Sequence, residues 1–234
     1  IDDTLATKIA MRFADNYANN WILDTAAKGV IPFDLLCVLS QNYDLSCIKN
    51  EHLPIIKNYT VDFLGLNYYS RVWVKPYSGG ETQLVVNNSG KDFKGESKIV
   101  IKGWFEQIMN NPDAIYTEWD VEIYPQGLQK GLKQVWEKYH LPIFITENGV
   151  GVREDITVDQ VEDDYRISFM NDHISAIMNA VDAGVDVRGY YAWSTFDLYS
   201  WKNGVEKRYG LVGIDFDDKE LKRKPKKSYY WYKS

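Results

Sequence analysis

The chain has 234 residues, a net charge of -6 and a pI near 5.2, which is enough length for one sizeable core and too acidic for the basic face of a nucleic-acid binder. Two cysteines, Cys37 and Cys47, in a loop-like stretch, and three scattered histidines, His52, His140 and His173, predict no disulfide framework, no metal centre and a reducing compartment. No apolar run reaches membrane-spanning length, and Ile1-Asp2-Asp3 does not read as a signal peptide.

Leu5, Ile9, Phe13 and Tyr17 recur at helical spacing and predict a first helix, followed by Trp21-Ile22-Leu23 and a turn at Gly29. Pro32 stands near the start of a shorter helix. Val61 to Tyr69 reads as a strand that ends in polar aromatics. The polar, glycine-rich stretch from Pro76 to about Pro112 reads as a long loop with a β-hairpin. Leu128, Leu132, Val135, Trp136 and Tyr139 mark the next helix, closed before Leu141-Pro142. Ile143-Phe144-Ile145-Thr146-Glu147-Asn148-Gly149 is a strand in which apolar β-formers run into an acid, an amide and a glycine. A long helix over 162–183 shows Ile167, Met170, Ile174, Ile177 and Val181 on one face and stops at Gly184, before a strand from Val187 to Trp193. The basic run within Lys219–Lys227 reads as a solvated turn.

Alternating strands and helices predict a parallel sheet with right-handed crossovers. Chemistry in such folds sits at the carboxyl ends of the strands, which makes Glu147 the leading catalytic candidate. Eight Trp and 17 Tyr supply flat rings with polar tips, suited to the C–H faces and hydroxyls of sugars. The nucleotide alternative lacks a glycine-rich phosphate turn after an early strand. Only three strong strands are visible, so an eight-stranded barrel would be present only in part.

Five ordered motifs account for that shortfall: Asp62-Phe63-Leu64-Gly65-Leu66-Asn67-Tyr68-Tyr69, Glu122-Ile123-Tyr124-Pro125, Ile145-Thr146-Glu147-Asn148-Gly149, Gly189-Tyr190-Tyr191-Ala192-Trp193-Ser194 and Lys207-Arg208-Tyr209-Gly210-Leu211. Over nearly its whole length the chain resembles the C-terminal half of the family 1 glycoside hydrolases. The resemblance implies an α/β fold, the C-terminal portion of a (β/α)8 TIM barrel with about strands six to eight, and residues 1–234 as half of one catalytic domain. It implies Glu147 as the nucleophile of a retaining mechanism, Tyr69 as the hydroxyl that orients it, and Asn67 and Trp193 as sugar-binding groups.

Where plain glucosidases of the family carry a glutamate, this chain has Ser200, followed by Trp201, Lys207 and Tyr209. That set resembles the phosphate pocket of the 6-phospho-β-glycosidases: a carboxylate would repel a 6-phosphate, whereas a hydroxyl, an ammonium and a phenol would hold it. Trp201 leans the reading toward 6-phosphogalactosides, with 6-phosphoglucosides as the alternative. Two departures stand out. Val121 replaces the usual aglycone-site Trp, with Trp119 two residues earlier, and the Asn-Glu-Pro motif of the acid/base is absent; Asn50-Glu51-His52 follows no strand and is rejected. The expectation is therefore a phospho-glycosidase part that needs no cofactor and no metal. It would act in the cytoplasm and bind neither nucleic acid nor membrane. It would also be completed by an N-terminal half or by self-association; the alternative is a catalytically incomplete remnant that at most binds phospho-sugar.

Overall fold

The computed structural model describes residues 3–86, 97–108, 114–200 and 202–234. Helix α1 (Leu5–Asp15) passes through a π-helical turn, Asn16–Asn20, into α2 (Trp21–Lys28), so the first two predicted segments form one run. It ends at Gly29, whose φ of 66° is the left-handed geometry that glycine adopts without a Cβ clash. Helix α3 (Phe33–Leu39) follows Pro32 and carries Cys37, which places that cysteine on a helix rather than in a loop. Helix α4 (His52–Asn58), too short to show a period, comes next.

After strand β1 (Leu64–Asn67) comes the main departure from expectation. The segment expected as a long loop contains β3 (Gln83–Val85), β4 (Lys98–Ile101) and β5 (Phe105–Ile108), which with β2 (Trp73–Pro76), at its very start, form an antiparallel sheet in the order β2-β5-β4-β3. The β-branched run Ile99-Val100-Ile101 suits a strand, and Val74 and Phe105 bury against Ala10 of α1, so packing overrides the polar composition. The rest of the expected loop, residues 87–96 and 109–112, lies outside the described residues.

The chain continues through β6 (Ile115–Tyr116), β7 (Glu122–Ile123), α5 (Pro125–Tyr139), β8 (Ile143–Asn148), α6 (Asp164–Asp182) and β9 (Val187–Ala192). It closes with β10 (Val212–Ile214), β11 (Arg223–Pro225) and α7 (Lys227–Lys233). Strands β1, β8 and β9 form a parallel sheet in the order β1-β8-β9, as the alternation predicts. Ile143 and Ile145 of β8 are fully buried against Leu128 and Leu132 of α5 and Ile177 and Ala180 of α6. Period-two alternation turns Phe144 and Thr146 to the other face, where a Cβ on Gly189 would meet the Phe144 ring and one on Gly65 would meet Thr146. That face is open: Phe63 and Tyr191 are 56% and 57% exposed. A parallel sheet apolar on both faces is ordinarily covered on both, and here helices cover one.

The basic run at 219–227 is only partly solvated. Lys226 is fully buried, its ammonium 2.5 Å from Glu154 and 3.1 Å from Asp197. A long basic side chain can be buried when carboxylates meet it, and composition alone does not show where they lie.

Candidate active site

Glu147 lies at the carboxyl end of the central strand, where the β1–β8 register shifts so that Asn67 sits beside it. Its neighbour Asn148 is fully buried and ties three elements together: its amide donates to the Tyr68 carbonyl at 2.8 Å and its oxygen accepts the Tyr190 hydroxyl at 2.9 Å. The Tyr68 amide donates to the Glu147 carbonyl at 2.9 Å. This clamps the backbone of both strand ends and brings the Tyr69 hydroxyl to 2.7 Å from Glu147 Oε2. Burial, and then the bond to the Glu147 carboxylate, hold the Tyr69 phenol protonated well above the usual range.

Gly149 must be glycine, because a Cβ there would lie 1.8 Å from the Trp193 carbonyl oxygen. Trp193 follows β9, its amide donating to the Asn148 carbonyl at 2.8 Å, and its peptide bond to Ser194 is cis. Two residues after Gly149, a Cβ on Gly151 would strike the Tyr209 ring at 2.6 Å and the Lys207 stem at 2.7 Å. The glycines therefore let the segment after β9 fold down over the end of β8. Tyr209 then stands edge-on to Tyr69, ring centres 6.3 Å apart. Burial and then the Glu147 charge push the Tyr209 phenol up to about 12.

Tyr69, Gly151, Lys207 and Tyr209 line one hollow, with Thr117 and Val121 on its opposite wall. Lys207 is only 7% exposed, and no carboxylate among the described residues pairs with it. Its ammonium instead lies 4.9 Å from the Trp119 ring and 5.4 Å from the Tyr209 ring. Burial, with a smaller push from the charge of Lys202, lowers its pKa from 10.5 to about 8.

Of the residues that the sequence singles out, the structure brings Glu147, Tyr69, Tyr209 and Lys207 together. Asn67 flanks them on the open face, its Oδ1 accepting the Thr146 hydroxyl at 2.7 Å. Ser200 is on the same excursion as Lys207, at a tight turn closed by a backbone bond to Gly204; its oxygen accepts the Lys202 and Asn203 amides at 3.2 Å each, leaving the hydroxyl proton to donate. Trp201 lies outside the described residues.

Two contributors were not identified from sequence. Trp119 was noted only as a displaced aromatic, and Arg166, on the buried face of α6, gave no motif. Arg166 Nη1 donates to the carbonyls of Val150 at 2.7 Å and Tyr209 at 2.9 Å, joining the segments that carry Glu147 and Lys207. Among the described residues no group of His, Cys, Asp and Glu could hold a metal ion, and no helix is long and apolar enough to cross a membrane.

Residues 3–234 match the sequence model of glycosyl hydrolase family 1, and the chain belongs to that family. It is 37% identical to a 6-phospho-beta-galactosidase of Clostridium acetobutylicum, an alignment that covers all of this chain and 50% of the relative. It is 40% identical to one of Leptotrichia buccalis, over 96% of this chain and 48% of the relative. Among solved structures it is similar to the GH1 beta-glucosidase from Exiguobacterium antarcticum, with 29% identity, a TM-score of 0.82, and cover of 99% of this chain and 46% of the other. A beta-glucosidase from Thermotoga maritima in complex with castanospermine gives 28% identity and a TM-score of 0.77. The chain spans about half the length of the relatives that it matches. Its parallel strands and covering helices are accordingly part of a (β/α)8 barrel.

Proposed function

We propose that this chain supplies the nucleophile and the phosphate-binding side of a retaining 6-phospho-β-glycosidase that prefers 6-phospho-β-galactosides. The observation that carries this reading is the Lys207 ammonium, buried without a carboxylate in the hollow that Tyr69 and Tyr209 share. A buried cation with no protein counter-ion is costly unless a ligand anion completes it. A sugar phosphate supplies that anion, and Ser200 and Tyr209 add neutral donors that a carboxylate-bearing site would lack.

In this reading Glu147 attacks the anomeric carbon as a carboxylate, forming a glycosyl ester while the aglycone leaves. Tyr69 donates to Glu147 Oε2, which fixes the direction of the other oxygen. Trp193 supplies the platform under the ring, and Asn67 a hydroxyl partner. The proton that the aglycone takes, and the base that later activates water, come from a second carboxyl that this chain does not provide. A complementary N-terminal half, laid on the open sheet face of Phe144, Thr146 and Tyr191, is the source that this reading assigns; self-association would cover the same face without adding that motif. A phosphorylated substrate implies a cytoplasmic setting. The names of the relatives favour the galacto epimer, and 6-phospho-β-glucosidase activity is the alternative.

The test is hydrolysis of nitrophenyl β-D-galactoside 6-phosphate by the chain together with its complementary half. Turnover should require the phosphate, exceed that on the glucoside 6-phosphate, and vanish in Glu147→Gln. Equal turnover of the unphosphorylated galactoside would refute the phosphate reading.

A further inference from the structure

The geometry points to Trp119 as a positioning residue for anion recognition: its indole face seats the Lys207 ammonium and keeps it free of protein carboxylates for a ligand phosphate. This rests on the reading of Lys207 as the phosphate-binding cation.

The turn that presents the indole is built for rigidity. The Thr117 hydroxyl accepts the amides of Trp119 and Val121 at 3.3 Å each, and the Thr117 amide donates to the Val121 carbonyl at 2.9 Å. Asp120 takes a positive φ of 58°, and its carboxylate accepts the Ser97 amide and hydroxyl at 3.3 and 3.0 Å. Of the turn's two carboxylates, Asp120 is thereby engaged by Ser97 and Glu118 by Arg153, while Trp119 is pressed inward to 4% exposure.

Two cations share that ring and are treated differently. Arg153 lies 4.9 Å from the ring centre and is ion-paired to Glu118 and Glu206. Lys207, also 4.9 Å from the ring, meets among the described residues the π faces of Trp119 and Tyr209 and no carboxylate. A ring quadrupole attracts an ammonium and cannot neutralise it, so the charge stays available. Among the described residues the buried indole N–H has no hydrogen-bond partner, so the position uses the face of the ring rather than its donor. Burying an unmet N–H costs stability, which a merely structural position would recover with leucine or phenylalanine. Phenylalanine should therefore serve in this seat, and leucine should not.

Two readouts on the 234-residue chain test the assignment. In the ligand-free chain with 13Cε-labelled lysine, the Lys207 ε-methylene should carry an upfield ring-current shift that Trp119→Leu removes and Trp119→Phe largely keeps. With galactose 6-phosphate as probe, Trp119→Leu should weaken binding about tenfold and Trp119→Phe about twofold, with binding of galactose itself unchanged. A Lys207 resonance indifferent to Trp119→Leu, or equal loss for galactose and its phosphate, would overturn the seat. Lys207→Gln separates the two readings. If it loses the preference for the phosphorylated sugar while Trp119→Leu keeps it, only the role of Trp119 falls. If Lys207→Gln keeps the preference, or the unaltered chain shows none, the phosphate reading falls, and the methylene shift alone then decides the seat.

Discussion

Among the described residues, cations are buried in two places and treated in opposite ways. Behind the strand ends, Arg166 and Lys226 are enclosed by acids: Arg166 pairs with Asp163 and Glu154 at 2.9 and 2.8 Å, and Lys226 with Glu154 and Asp197. Asp163 also accepts the amide and hydroxyl of Ser228, and Asp197 takes Arg208 at 2.7 Å. In the hollow in front, Lys207 has rings and, among the described residues, no acid. The rear cluster is satisfied within the protein, and its work is to hold the segments after β8 and β9 together through the Val150 and Tyr209 carbonyls. The front cation has no carboxylate partner among the described residues, and the proposed phosphate reading rests on that difference. Buried charge by itself does not separate scaffold from function; whether the protein supplies the counter-charge does.

The largest test of that contrast is Arg166→Met. It strands Asp163 and Glu154 with part of their counter-charge gone and removes the donor to two carbonyls, so stability should fall by about 3–5 kcal/mol in denaturant unfolding. A loss under about 1 kcal/mol would show that the cluster is not a scaffold.

Lys207→Met should do the reverse. The folded pKa of Lys207, about 8, lies below the ordinary 10.5, so between those values the unfolded chain holds a proton that the folded chain has released. Stability of the ligand-free chain should therefore rise with pH across that window, by up to about 1.4 kcal/mol per unit, and Lys207→Met should abolish the rise. At neutral pH the substitution should stabilise the chain by roughly 1–3 kcal/mol while removing any preference for a phosphorylated sugar. Destabilisation by Lys207→Met would place this lysine with Arg166 and break the comparison.

The ligand gives a third measurement. A sugar phosphate loses its second proton near pH 6 and Lys207 loses its own near 8, so affinity for galactose 6-phosphate should peak between them. Above 8 it should fall toward tenfold per pH unit until the bound-state pKa is reached. Calorimetric titration at pH 5, 7 and 9 decides this; a flat profile from 7 to 9 would mean that Lys207 does not bind the phosphate.

How much of this was legible beforehand follows the same division. The end of β8 and the parallel order could be read because strand periodicity carries them, while Tyr69, Lys207 and Tyr209, which the structure brings beside Glu147, were singled out only through motifs that resemble those of the family. Three features could not. The sheet of β2 to β5 hides in a polar stretch because its stability comes from contact with α1, distant in sequence. Lys226 looked solvated because its partners, Glu154 and Asp197, are 72 and 29 residues away. Trp119 could be seen as a misplaced aromatic but not as the neighbour of Lys207, since the turn that aims it depends on Thr117, Asp120 and Ser97 acting together.

The smallest expected effect concerns how Lys207 and Tyr209 are seated. The missing Cβ of Gly151 is the space into which the Tyr209 ring edge and the Lys207 stem pack, at 2.6 and 2.7 Å from where a methyl would be. A rigid ring and the stem of a buried lysine would both have to move well over half an ångström, so Gly151→Ala should cost about 1–3 kcal/mol, the usual range for overpacking. The displacement bears on recognition as well as on folding. It lifts the ammonium toward water, so its pKa should climb back toward 10.5 while galactose 6-phosphate binds about threefold more weakly. NMR titration of Lys207 beside thermal unfolding separates these effects, and a changed melting point with an unmoved lysine pKa would show that Gly151 serves only the fold.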